Sequence, residues 1–65
     1  MKKKYIIKTL NTDEYYCGIL HNWGELSDCV EFEDEQLVNK TVEKLLVKYP
    51  NVKLTIITIY DKVST

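Results

Sequence analysis

The sequence predicts an α+β domain, a small antiparallel sheet of three to four strands covered by one helix, in the order ββ(β)αβ. Two observations carry this. Between Asp34 and Tyr49 the apolar residues Leu37, Val38, Val42, Leu45, Leu46 and Tyr49 recur at helical spacing and make one broad face. On both sides of that stretch lie short β-branched and aromatic runs whose apolar residues alternate. Length adds a bound. With 65 residues there is room for a single domain, 1–65, and one small core. A chain this short buries only about 60% of its extended surface. Self-association is therefore the expected source of further stability.

Lys4 to Leu10 reads as the first strand, with Tyr5 and Ile7 on one face and Ile6 and Leu10 on the other. The lysines before it can guard an edge against unwanted pairing. Asn11–Glu14 is a polar turn, and Tyr15 to Leu20 returns as the second strand of a hairpin. Gly18 marks a bulge or a close backbone approach. His21 to Asp28 has no clear period and reads as a loop. Cys29 to Glu33 is a short third strand with Val30 and Phe32 inward.

The helix follows. Asp34 caps it, because its carboxylate can accept first-turn N–H groups. Glu35 opens it and Lys44 and Lys48 close it, as the macrodipole prefers. Pro50 ends it. An isolated helix of this length is marginal in water, so it needs the sheet to lie on. Val52 to Tyr60 is the last and longest strand. One of its faces is Val52, Leu54, Ile56 and Tyr60; the other begins polar and turns apolar at Ile57 and Ile59. A sheet with one helix has one bare face. Ile57 and Ile59 there form a patch for self-association, unless loop residues such as Trp23 and Leu26 fold over it.

Net charge is −1, but it is unevenly spread. Eight of the ten acids lie between Thr9 and Asn39, where no lysine occurs, and there is no arginine. The missing guanidinium forks disfavour direct nucleic-acid binding. The apolar run behind Met1–Lys4 is too short for a signal peptide, and no stretch approaches a membrane span. The expectation is a cytoplasmic chain with Cys17 and Cys29 reduced.

Catalytic and metal chemistry find little support. Cys17, His21 and Cys29 are at most three soft ligands without a close cysteine pair, so no metal or cofactor is expected. A Cys17–His21 nucleophile would need an orienting group, an oxyanion site and a cleft that so short a chain can hardly enclose. The chain reads as no enzyme. Two groups stand out as binding surfaces. Tyr15, Tyr16, His21 and Trp23 crowd one end of the hairpin, where they stack on a base, anchor an interface or cap the core. Glu25, Asp28, Glu31, Glu33, Asp34 and Glu35 form an acidic stripe that docks on a basic groove or serves solubility and the helix start.

Tyr5-Ile6-Ile7-Lys8, Tyr15-Tyr16-Cys17-Gly18, Trp23, the helix ending at Tyr49-Pro50, and Val52 to Ile59 together resemble the plan of small proteins encoded by phages and prophages of low-GC Gram-positive bacteria. That resemblance implies a non-enzymatic counter-defence protein. Such a protein acts in the infected bacterial cell by blocking a host protein or, as a small oligomer, by sequestering a nucleotide immune signal. A structural or regulatory phage subunit is the remaining alternative.

Overall fold

The computed structural model describes residues 2–18 and 22–61. Strand β1 (Lys2–Thr9) is the spine of the sheet. It pairs antiparallel along its whole length with β4 (Leu54–Asp61), from Lys2 opposite Asp61 to Thr9 opposite Leu54. On its other side lies β2 (Tyr15–Gly18), which in turn pairs with β3 (Asn22–Gly24). The spatial order is β3-β2-β1-β4. Helix α1 (Glu35–Lys48) crosses one face of this antiparallel sheet, giving the α+β architecture expected.

The core forms where α1 meets the sheet. Tyr5, Ile7 and Thr9 of β1 point to the helix side, as do Leu54 and Ile56 of β4. Ile7, Tyr16, Phe32, Val38 and Leu45 are the buried centre, with Val42, Tyr49, Trp23 and Val30 packed around it. The helical face is narrower than its spacing suggests. Leu37 is 52% and Leu46 41% exposed, because each lies on a flank of the helix rather than over the sheet. The ends of α1 follow local chemistry. Asp34 Oδ1 accepts the Gln36 N–H at 2.9 Å, and Tyr49 closes the last turn by donating to the Leu45 carbonyl.

The third strand lies elsewhere than expected. Asn22–Gly24, read as loop, pairs with β2, whereas Cys29–Glu33 forms no strand. β2 is in register with β1 at Lys8 opposite Tyr15, and by Tyr16 its carbonyl already accepts from Val30 instead; a bulge toward β3 follows between Tyr16 and Gly18, where φ is +97°. The gap beside β1 is filled by the chain around residue 31. Val30 donates to the Tyr16 carbonyl at 2.9 Å, and Phe32 exchanges both backbone hydrogen bonds with Tyr5. Val30 and Phe32 still point inward, because the wedge presents the same side chains to the core as a strand would.

Three boundaries also shift. β1 begins at Lys2, so the lysines belong to it, and they occupy the half that runs past β2. Leu10 lies in the hairpin turn and is exposed rather than on a strand face. β4 begins at Leu54, since the Val52 N–H is drawn to the Tyr49 carbonyl and the Lys53 N–H to Asn11 Oδ1. Ile19 and Leu20, expected to extend β2, lie outside the described residues.

Candidate functional site: an acidic segment, an aromatic cluster and a free edge

The aromatic group separates between the two faces. Tyr16 lies opposite Trp23 across β2–β3, and their rings meet edge to face at 6.1 Å. Trp23 continues to Tyr49 at 6.1 Å, and Tyr16 stacks on Phe32 at 6.3 Å. These four rings form one packed run beneath and beside α1, which suits their large apolar area. Tyr15, adjacent to Tyr16 in the strand, points to the opposite face and lies under the Lys8 ammonium at 5.8 Å. Tyr15 and Trp23 therefore do not share a platform. His21 lies outside the described residues.

The acidic residues lie on one continuous segment. Glu25 precedes a 3-10 turn at Leu26–Asp28, Glu31 and Glu33 flank Phe32, and Asp34 and Glu35 start α1. All six are exposed. Asp34 is engaged as the cap, and Glu31 meets Lys4 at 3.7 Å, a long half-exposed pair that contributes little. The charges are close enough to act on the neighbouring thiols. Partial burial, then Asp28 and Glu14, raise the pKa of Cys17; burial, then Glu31, raise that of Cys29. Both shifts favour the thiol over the thiolate, which makes the sulfurs weaker nucleophiles. Among the described residues no three His, Cys, Asp or Glu side chains are grouped to hold a metal ion. No described helix is long and apolar enough to cross a membrane.

Two features were not read from the sequence. The first is a cleft of about 260 Å³ between α1 and the β2–β3 hairpin, lined by Tyr16, Asn22, Thr41, Lys44, Leu45 and Lys48. Its volume falls below the range of about 300–1,000 Å³ usual for drug-sized ligands. Lys44 and Lys48, one turn apart, were visible as a helix-end pair, but only the packing shows which strands they face.

The second is the outer edge of β4. The N–H and C=O groups of Lys53 point inward: Leu10 donates to its carbonyl and its own N–H meets Asn11. Alternation along a strand then turns Thr55, Ile57 and Ile59 toward β1 and the backbone groups of Leu54, Ile56, Thr58 and Tyr60 outward. No described strand pairs with that edge. On the face away from the helix, Ile57 and Ile59 are half-buried. Ile6, beside Ile57, is only 2% exposed, flanked by Lys4 and Lys8 whose stems can lie along the sheet. Trp23 is on the helix side and does not cover this patch. No family model, no curated protein and no solved structure matches the chain.

Proposed function

We propose that this chain is a small non-catalytic protein that inhibits a component of bacterial antiviral defence by binding or sequestering it in the cytoplasm of an infected cell. The resemblance to small phage proteins supplies the class of partner. The observation that carries a protein-binding role is the exposed acidic segment from Glu25 to Glu35, free of lysine throughout. A same-sign surface of this kind steers association with a basic groove and makes it sensitive to salt. The small volume of the cleft suits contact with a surface better than enclosure of a drug-sized substrate.

A second reading, sequestration of a nucleotide signal, has one observation in its favour. Lys44 and Lys48 border the cleft beside Tyr16, so phosphates would meet ammonium groups next to an aromatic ring.

One experiment separates them. Cells carrying a defence system are infected with a phage that the system restricts, with and without expression of the chain. Plating is expected to rise by orders of magnitude, and Glu25→Lys, Glu31→Lys and Glu33→Lys combined should abolish the rescue. Loss of rescue on Lys44→Glu and Lys48→Glu instead, with the acidic triple variant active, would transfer the function to the nucleotide reading. No rescue by the native chain in any defence background would leave only a structural or regulatory role.

A further inference from the structure

The geometry points to a second copy of this chain as the occupant of the free β4 edge, joined antiparallel about a two-fold axis at Ile57 so that two four-stranded sheets become one of eight strands. This goes beyond the defence reading and does not depend on it.

The first argument is the edge itself. Natural edge strands are blunted by charge, proline or bulges, or by being very short. β3, at the other side of the sheet, is three residues long. The half of β1 that outruns β2 carries Lys2, Lys3 and Lys4. From Leu54 to Tyr60 β4 has none of these devices: it reads Leu-Thr-Ile-Ile-Thr-Ile-Tyr, without charge, proline or glycine, and only its last residue, Asp61, is charged. It runs for eight residues and leaves four outward-facing backbone pairs exposed.

The second argument is register. With the axis at Ile57, Leu54 lies opposite Tyr60 of the second copy and Ile56 opposite Thr58. All four are the residues whose N–H and C=O groups point outward, so each pair can exchange both hydrogen bonds. Moving the axis by one residue, to Ile56 or Thr58, keeps the parity but leaves one end of the strand unmatched.

Charge selects the same alignment. Walking outward from Ile57, the first charged residues are Lys53 on one side and Asp61 on the other, each four positions away. The two-fold sets Lys53 of each copy opposite Asp61 of the other, twice per dimer. Opposite charges facing across strands are favourable, and like charges there are not.

Side chains gain as well. Tyr60, 55% exposed in the single chain, comes to lie across from half-buried Leu54 on the helix side. On the other face the two Ile57 residues meet at the axis, and Ile59 lies opposite Thr55, extending the row that begins at Ile6. Because both β4 edges are consumed and the remaining edges are short or lysine-bearing, assembly closes at two.

The test is sedimentation equilibrium over a range of concentrations, paired with amide exchange. The native chain is expected at twice its 7.7 kDa mass. Dilution should release the amides of Ile56 and Thr58 while those of Ile57 and Ile59, bonded within the chain, stay protected. Thr58→Pro removes an outward N–H and no intrachain bond, so a monomer is expected. Lys53→Glu should weaken the dimer about tenfold through two like-charge pairs. Adding Asp61→Lys should restore it. A native chain that remains at single mass throughout overturns the proposal. So does a dimer that dilutes without exposing Ile56 and Thr58, or one indifferent to Lys53→Glu. Failure of Asp61→Lys to restore the Lys53→Glu variant overturns the register.

Discussion

Gly18 and Gly24 sit within one hairpin and resist substitution for different reasons. At Gly18 an added Cβ would make only ordinary contact, 3.6 Å from Val30 Cγ2, but φ is +97°, where L side chains are strained. At Gly24 the backbone is ordinary and the space is not, as a Cβ would stand 2.9 Å from Cys17 Sγ. Alanine at either position is expected to destabilise by about 1–3 kcal/mol. Urea unfolding in a Cys17→Ala background separates the two. The Gly24→Ala penalty should shrink once the sulfur is gone, and the Gly18→Ala penalty should not. Equal penalties in both backgrounds would show that contact with Cys17 is not what fixes Gly24. The sequence marked Gly18 as a bulge or a close approach; the structure places a bulge between Tyr16 and Gly18 and gives Gly18 a left-handed φ.

At the scale of elements, α1 is held by few contacts. Val38 and Leu45 are its buried residues, whereas Val47 is 84% exposed. Leu45→Ala should cost about 2–5 kcal/mol, enough to unfold much of so small a domain at room temperature. Val47→Ala should stay within about 0.5 kcal/mol. Thermal melting followed by circular dichroism checks both, and a Val47 effect as large as that of Leu45 would mean that the outer face of α1 is covered in solution. The helix was legible because cap, charge order, spacing and Pro50 all agree within one local stretch. The third strand was not. Val30 and Phe32 alternate as a strand does, but alternation records which side chains point inward and not whether a neighbour is paired along its length. Asn11 was also opaque, since its turn-like chemistry conceals a hydrogen bond to Lys53, forty-two residues away.

For the whole molecule, the proposed edge-to-edge pairing would make stability a function of concentration. A dimer that unfolds to separate chains is stabilised by mass action, so its melting temperature should rise as the protein is concentrated. Scanning calorimetry at several concentrations is expected to show that rise for the native chain and none for Thr58→Pro. A native midpoint independent of concentration would count against assembly through β4. The same arrangement would repeat the acidic segment in two copies, so a partner could be engaged twice. Of the candidate binding residues, the acids were readable as a surface because charge is seldom buried unpaired. The aromatics were not, because neighbours in a strand look alike in sequence and point to opposite faces.

The sequence by itself determined the class of fold, the helix with both its ends, the inward identity of Val30 and Phe32, and the place of Val38 and Leu45 on the apolar face of the helix. These follow from periodicity and capping, which act over a few residues. Only the tertiary structure decided that Ile7 rather than Ile6 faces the helix, that β3 is Asn22–Gly24, that Tyr15 and Tyr16 part company, and that β1 rather than β4 is interior. Strand order is a long-range choice: it depends on where the chain goes past a bulge such as that between Tyr16 and Gly18, and on which backbone donors remain without a neighbour once every other strand has paired.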